Sequence, residues 1–407
     1  MVTRPESVGL SSSRLEGIDR FLKERYIDTG KLPNTMTLIA RKGEVAHLGI
    51  QGFADVERKK PLSEDTLFRI YSMTKPITSV AFMMLVEQGL AALDDPVHRY
   101  IPEWRNLGVY DAGFMETFRT HRPKRPMLMV DLLRHTSGLT YGFQQRTNVD
   151  AAYRKLKLGE IEKYGTLDYM VEKLAGLPLE FSPGDAWNYS VSTDILGYLV
   201  GKISGMPFDE YLKARVFEPL KMHDTDFSVP AKKAERFAAC YAVTAQGRVL
   251  YDDPTKSHYL KPATLVSGGG GLVSTMGDYL RFCRMLINGG ELDGARLLSP
   301  KTIQLMTQNH LPGGKDLSEM SISLFSEANY SGIGFGLGFS VTLDPARSLI
   351  PGSAGDYSWG GAASTYFWID PKEELIAIFM TQLMPSTHYP VRREFRTLVY
   401  SAFTQAN

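Results

Sequence analysis

Ser72 and Lys75 are a pair of residues whose types and spacing could perform chemistry. Residues three positions apart on a helix share one face, so the Lys75 amine can reach the Ser72 hydroxyl. Serine needs a base to act as a nucleophile, and a neutral lysine can serve. Neutrality near pH 7 requires the lysine pKa to fall by about 3 units through burial and nearby positive potential. Alone, the Ser-x-x-Lys spacing more often marks a capped helix whose lysine faces solvent.

The helix that carries this pair is predicted to begin close to Ser72. Pro76 lacks an N–H group, and only the first four N–H groups of a helix can go without an internal partner. Apolar residues then recur at helical spacing as far as Gln88, and Gly89 closes the helix. Ser72 is therefore expected at the positive helix end, where its backbone N–H can bind an oxyanion.

Two further groups have side chains or backbone suited to the same reaction. Tyr189 could ionise more easily beside a cationic lysine and relay a proton, although most tyrosines in such a position are simply aromatic residues packed in the core, here next to Trp187. The run Trp359-Gly360-Gly361-Ala362 leads into a predicted strand. Paired glycines let a substrate approach the backbone, and a strand N–H can be a second oxyanion donor. The alternative for this run is a plain turn.

Other catalytic machinery is missing from the sequence. There is no Gly-x-Ser-x-Gly motif. The eight histidines include no His-x-x-x-His pair, and there is no cysteine cluster, so we expect neither a metal nor a cofactor. His135 is predicted to cap a helix end. The run Ser267–Gly271 lacks the lysine and spacing of a phosphate loop and predicts a close-packed turn before a strand.

Composition limits the kinds of partner. The 407 residues are 43% hydrophobic and 22% charged, which is typical of a globular protein with two structural subdomains. The net charge of +1 predicts no nucleic-acid partner. No apolar run approaches the roughly 20 residues of a membrane helix, and the N-terminus lacks the apolar block of a signal peptide. We therefore expect a cytoplasmic protein with no membrane partner, and we expect Cys240 and Cys283 to be buried apolar fillers.

The elements that must position these residues form an antiparallel sheet covered by helices. This expectation rests on period-2 and period-3.6 apolar patterns. The predicted elements are a helix over 11–28, strands over 36–40 and 45–50 joined at Lys42-Gly43, a long loop over 105–128, helical segments from 129 to about 215, strands over 363–369 and 374–382, and a final helix that includes 395–403.

Taken in order, these motifs resemble the serine β-lactamase and penicillin-binding superfamily in its class C branch, and most of all the family VIII carboxylesterases. The resemblance covers nearly the whole chain and includes the stretches 65–72, 132–139, 217–222 and 267–274. It implies an α+β, β-lactamase-like fold, with an antiparallel sheet flanked by helices, a mostly helical domain, and the active site between them. Residues 1–80 and 265–407 would form the α/β domain and residues 81–264 the helical domain.

The resemblance also implies a role for each motif. Ser72 corresponds to the serine that is acylated, Lys75 to the lysine of the same motif, and Tyr189 to the tyrosine of the second motif. Trp359, Gly360 and Gly361 correspond to the substrate-binding Trp-Gly-Gly motif of the esterases. The N–H groups of Ser72 and Ala362 would form the oxyanion hole. Whether Lys75 or Tyr189 is the formal base stays open.

Two departures from the β-lactamase pattern concern the substrate. Val191 stands where an asparagine is usual, and Trp359 replaces the cation that would hold a substrate carboxylate. We therefore predict a serine carboxylesterase that hydrolyses uncharged short-chain acyl esters through an acyl-enzyme. The alternatives are an acyltransferase, a β-lactamase acting on cephalosporins, and a non-catalytic binding protein. The expected partner is a small-molecule ester, and the oligomeric state is left open, with a homodimer as one option.

Overall fold

An eight-stranded antiparallel sheet forms the centre of the computed structural model, which describes residues 2–322 and 330–406 and, at Glu116, the backbone alone. The strands of this sheet and of the smaller ladders are, in chain order, β1 (Asn34–Arg41), β2 (Glu44–Asp55), β3 (Lys60–Pro61), β4 (Phe68–Arg69), β5 (Val109–Ala112), β6 (Arg119–His121), β7 (Cys240–Thr244), β8 (Gly247–Asp252), β9 (Val273–Ser274), β10 (Glu291–Leu292), β11 (Ala295–Arg296), β12 (Ile333–Phe335), β13 (Ser340–Thr342), β14 (Tyr357–Gly360), β15 (Tyr366–Asp370), β16 (Leu375–Met380) and β17 (Leu383–Met384). The sheet order is β12-β13-β14-β15-β16-β1-β2-β3, so the sheet joins the two ends of the chain.

Helices pack on both faces of this sheet. In chain order, the helices of the described residues are α1 (Ser12–Leu22), α2 (Thr74–Glu87), α3 (Met129–Leu133), α4 (Asn148–Lys155), α5 (Leu167–Leu174), α6 (Ser192–Ser204), α7 (Phe208–Leu212), α8 (Met276–Ile287), α9 (Pro300–Met306), α10 (Leu317–Met320), α11 (Pro345–Ser348) and α12 (Val391–Ser401). Helices α1 and α12 share one apolar core with one sheet face, whereas α2 and α8 share a second core with the other face. The α+β fold is thereby confirmed.

Alternation along the central strands assigns residues to these two cores. On β1, Leu38 and Ala40 belong to the core around α2, and Ile39 belongs to the core around α1. On β16, Ile378 and Phe379 divide in the same way. Successive side chains of a strand point to opposite faces, so a sheet covered on both sides needs apolar residues at every position.

The hairpin between β1 and β2 follows the sequence prediction. Lys42 and Gly43 both have positive φ, 53° and 80°. Two consecutive positive φ values are typical of the two-residue turns that match the twist of paired strands. Near the start of the chain, the Ser11 side chain accepts from the backbone N–H of Arg14 and caps α1.

Helix α2 is the central helix of the molecule. Its residues from Thr74 to Leu85 are all buried, and it packs against α6. A single 3-10 turn, Tyr71–Met73, precedes it, so the predicted helix start close to Ser72 is confirmed. The predicted division at residue 80 falls within this helix, and the division of the chain into two domains stays a prediction.

The prediction of a long loop over residues 105–128 is wrong in part. Strands β5 and β6 form a short hairpin there, with Val109 opposite His121. Gly113 makes the turn possible, since it has a φ of 91° and a side chain on it would meet the Thr117 carbonyl oxygen. The high Arg, Gly and Pro content of the segment concealed this hairpin.

Cys240 and Cys283 are both buried and unbridged, in agreement with the sequence prediction. Among residues 2–322 and 330–406, every helix is too short or too polar to cross a membrane.

Candidate active site

Ser72 lies in a tight turn at the start of α2. The preceding residue, Tyr71, has a φ of 40°, a conformation that is rare for a residue with a side chain. The backbone before the turn is anchored, because β4 pairs with β9 and the Ile70 N–H donates to Leu272 O at 3.1 Å. The fold therefore presents Ser72 at the N-terminal end of a buried helix, where backbone N–H groups have no helical partner.

The amine of Lys75 connects Ser72 to two other groups. Its Nζ atom lies 3.3 Å from Ser72 Oγ, 3.1 Å from the Tyr141 hydroxyl and 2.6 Å from the Gly269 carbonyl oxygen. Burial lowers the pKa of Lys75 to about 7, although the Asp194 carboxylate acts to raise it. Burial alone therefore accounts for the lowered pKa that the sequence prediction ascribed to burial and positive potential together.

The glycine-rich segment Ser267–Gly271 forms the wall beside Lys75. A side chain on Gly269 would lie 2.5 Å from Asp194 Oδ2, so the segment can approach α6 only as glycine. Asp194 holds the segment by accepting from Ser267 Oγ at 2.5 Å and from the Gly269 N–H at 3.1 Å. The predicted close-packed turn is present, and its Gly269 carbonyl contacts Lys75.

Tyr189 lies directly before α6, with its ring against Lys75. The Lys75 Nζ atom lies 4.5 Å from the ring centre, and the Tyr189 hydroxyl is hydrogen-bonded to Ser72 and accepts from Trp359 Nε1 at 3.4 Å. Burial raises the pKa of Tyr189, although its bonds to Ser72 and Trp359 lower it. The expectation that Tyr189 ionises more easily than a free tyrosine is therefore wrong, because burial outweighs the neighbouring donors.

Trp359 and Gly360 end strand β14, and Ala362 lies in the turn that follows. The sequence prediction placed Ala362 at the start of a strand over 363–369, but β15 begins only at Tyr366. The reason is that Gly361 and Thr365 close a turn, with the Gly361 N–H donating to Thr365 O at 2.9 Å. A side chain on Gly361 would lie 2.4 Å from the Ile70 carbonyl oxygen, so this turn packs directly against the segment before Ser72.

A cavity of about 520 Å³ opens in front of these groups. The predicted site residues border it, except for Lys75, which lies behind Ser72. Its other walls are largely aromatic and aliphatic, with a few charged side chains. The lining includes Tyr141, Phe143, Leu265, Tyr330, Ile333, Ile350, Glu160, Lys163 and Arg392. This volume is within the range of small-molecule sites.

His135 has a structural position. It follows α3 with a φ of 58°, and its Nδ1 atom lies 3.2 Å from Ser190 Oγ. Its ring packs 5.0 Å from that of Tyr189, and burial holds the pKa of His135 well below its usual value. The position of His135 just after α3 agrees with its predicted place at a helix end. Its neutral ring also packs against the Tyr189 ring and supports it.

Sequence reasoning missed three residues of this site. Tyr141 contacts the amine of Lys75, Asp194 holds Gly269 beside that amine, and Arg392 contacts the turn after Trp359. None of them has a diagnostic spacing to Ser72, because they come from a loop, a helix and the last helix of the chain. Of metal sites, the described residues contain no group of three or more His, Cys, Asp or Glu side chains placed to hold one.

Together these groups can activate a hydroxyl and hold a carbonyl beside it. A buried amine of lowered pKa is within hydrogen-bond reach of a serine hydroxyl, which is the geometry of an activated nucleophile. Ser72, at a helix start, and Ala362, in a glycine-supported turn, border the same cavity, and backbone N–H groups at such positions can serve as oxyanion donors. The site is therefore suited to acyl transfer through the Ser72 oxygen.

Comparisons with known proteins agree with this chemistry. The family model described as Beta-lactamase matches residues 19–401. An uncharacterized protein of Mycobacterium tuberculosis is 37% identical over 374 residues, 91% of this chain and 90% of that protein. Esterase EstB of Burkholderia gladioli is 30% identical over 391 residues, again 91% of this chain and 90% of that protein. The solved structure of EstCE1, described as a hydrolase with promiscuous acyltransferase activity, is 26% identical with a TM-score of 0.80 and covers 97% of this chain and 99% of its own.

Proposed function

The chain belongs to the beta-lactamase family, in the esterase-like branch of the serine β-lactamase superfamily, and on that premise we propose that it is a carboxylesterase acting on uncharged short-chain acyl esters. The observation that carries the proposal is the 3.3 Å distance between Lys75 Nζ and Ser72 Oγ in a buried setting. A neutral amine has two N–H donors and one lone pair. Gly269 O and Tyr141 OH can accept the two donors, which leaves the lone pair for the Ser72 hydroxyl.

Acylation then proceeds with Lys75 as the base. Lys75 takes the proton of Ser72, whose oxygen attacks the ester carbonyl, and the N–H groups of Ser72 and Ala362 stabilise the oxyanion. Tyr189 is hydrogen-bonded to Ser72, and because burial raises its pKa it is neutral near pH 7. It delivers a proton to the leaving alcohol and regains one from Lys75. In deacylation, water attacks the acyl-enzyme carbonyl, its proton passes to the same two residues, and Ser72 regains a proton as the free acid is released. Lys75 is assigned as the base because burial lowers its pKa while burial raises that of Tyr189.

The substrate class is inferred from Trp359. Its indole ring borders the cavity where the resemblance expects a cation, and its Nε1 atom already donates to Tyr189. An uncharged acyl group gains from contact with the ring, whereas a carboxylate placed there loses water without full compensation. The cavity is larger than a short acyl chain needs, so it also has room for a sizeable alcohol.

Acyl transfer to an alcohol is a second candidate. EstCE1 is described as having this activity beside hydrolysis. The largely apolar cavity wall supports it, because an alcohol bound there would compete with water for the acyl-enzyme.

A panel of nitrophenyl esters of increasing acyl length, with and without an added alcohol, tests both candidates. We expect kcat/KM to be highest for short neutral acyl groups, with the free acid as main product. Turnover of none of the esters would contradict the proposal. A predominance of the transferred ester at millimolar alcohol would favour the acyltransferase.

A further inference from the structure

Arg392, in the first turn of α12, contacts the backbone of the turn between β14 and β15. Its Nη2 atom donates to Gly361 O at 2.5 Å and to Thr365 O at 2.8 Å. Thr365 O also accepts from the Gly361 N–H, so the guanidinium binds the carbonyl groups of both residues that close the turn. These contacts tie the last helix of the chain to the backbone that borders the cavity.

One of these carbonyls belongs to the peptide group that carries the Ala362 N–H. The Gly361 carbonyl and the Ala362 N–H lie in one planar unit, and in a trans peptide they point in opposite directions. A donor that fixes the carbonyl on one side therefore fixes the direction of the N–H on the other. A charged donor also polarises the peptide, since hydrogen bonds in series strengthen one another.

The two glycines of the motif make this arrangement possible. A side chain on Gly360 would lie 2.8 Å from Arg392 Cζ, which is closer than van der Waals contact, so only a glycine at this position leaves room for the guanidinium. A side chain on Gly361 would clash with Ile70 O, so Gly361 admits the segment that leads to Ser72. The motif thus fits Arg392 on one side and the Ser72 segment on the other.

We propose that Arg392 is a positioning residue for the oxyanion site: it orients and polarises the 361–362 peptide so that the Ala362 N–H can stabilise negative charge on the substrate carbonyl oxygen. This inference rests on the proposed function, because it presupposes an ester carbonyl attacked by Ser72. Arg392 stays protonated and makes or breaks no bond. Its effect is on the tetrahedral intermediate and is small in the bound ester, whose carbonyl oxygen carries little charge.

The test compares an ester with its thionoester, in which sulfur, a weak hydrogen-bond acceptor, replaces the carbonyl oxygen. Arg392→Met should lower kcat for the ester about 10-fold to 100-fold with KM nearly unchanged, which is less than the 10²–10³-fold loss expected for deleting an oxyanion donor itself. The thionoester should lose far less, so the ester-to-thionoester ratio falls at least about fivefold. Arg392→Lys should recover much of the ratio, because an amine can donate to both carbonyls. Arg14→Met, the same loss of charge at an exposed position of α1 outside the cavity lining, should leave the ratio unchanged.

Active-site titration with a fluorophosphonate makes the result independent of folding yield, since a folding defect lowers the number of titratable sites and leaves their rate ratio intact. Equal losses for ester and thionoester in Arg392→Met would overturn the proposal, as would a loss confined to carboxylate-bearing esters, which would make Arg392 a cation for the substrate. A kcat for the ester that stays at the wild-type value in Arg392→Met would overturn it too. A wild-type protein that turns over no ester would instead contradict the proposed function.

Discussion

The Nζ atom of Lys75 lies 4.5 Å from the centre of the Tyr189 ring, and the hydroxyl groups of Ser72 and Tyr141 and the Gly269 carbonyl complete its surroundings. The two residues proposed to handle protons are thus in direct contact and share the Ser72 hydroxyl as a neighbour. Side chains in contact within one hydrogen-bond network do not contribute independently. Their coupling can be measured.

Lys75→Ala and Tyr189→Phe should each lower kcat steeply, and the double variant should lose far less than the product of the two single losses, because the pair acts as one unit. The measurement is kcat for one neutral ester on the wild type, both single variants and the double variant. Losses that multiply strictly would argue against a shared proton path.

The pH dependence of kcat/KM should show a single acid limb near pH 7. Burial lowers the pKa of Lys75 to about 7, and only its neutral form can accept the Ser72 proton, so activity should fall as pH decreases below that value. Tyr189→Phe should retain the same limb at lower rate, since burial raises the pKa of Tyr189 away from this range. If the acid limb disappeared in Tyr189→Phe, the titrating group would be Tyr189, and the assignment to Lys75 would be wrong.

Lys75→Met should inactivate the protein but stabilise it most at low pH. With a folded-state pKa of about 7 and an ordinary value of 10.5, the unfolded chain holds one more proton between these pH values, so the wild type gains stability as pH rises. The advantage of Lys75→Met in free energy of unfolding should therefore shrink by up to about 1.4 kcal/mol per pH unit from pH 7 toward pH 10. Denaturant titrations at three pH values measure it. A pH-independent difference would mean that Lys75 is charged in the folded state.

Neutral short-chain esters should exceed cephalosporins in kcat/KM by at least about a hundredfold, which corresponds to roughly 2.7 kcal/mol. Trp359 offers an apolar face where a carboxylate would need a cation, and the Nη2 atom of nearby Arg392 donates to the Gly361 and Thr365 carbonyls. Trp359→Lys should narrow this difference, because it should lower kcat/KM for the neutral ester and raise kcat/KM for the cephalosporin. Equal wild-type values for one ester and one cephalosporin would contradict this selection and would favour Arg392 as a carboxylate ligand.

Much of this site is readable from short-range patterns. Pro76 limits where the helix can start and so places Ser72, and the spacing to Lys75 follows from the helix itself. The alternation in β1 and the Lys42-Gly43 turn likewise depend on local geometry. These features need no knowledge of the rest of the chain.

What the sequence does not show is which distant groups surround these residues. Tyr141, Asp194 and Arg392 reach the site through tertiary packing across 69, 122 and 320 positions from Ser72 respectively, a relation that no periodicity encodes. The raised pKa of Tyr189 has the same origin, because burial among His135, Trp187 and Trp359 outweighs the neighbouring donors. Protonation states at a buried site are therefore a property of the assembled core.

The central claim, that Ser72 forms an acyl-enzyme, is tested most directly by mass spectrometry of the protein after reaction with a fluorophosphonate and with a slowly hydrolysed ester. We predict one adduct per chain from each reagent, both on the peptide that contains Ser72. Ser72→Ala should form neither adduct and should lose several orders of magnitude in kcat. Labelling at another residue, or more than about a tenth of wild-type activity in purified Ser72→Ala, would contradict the account.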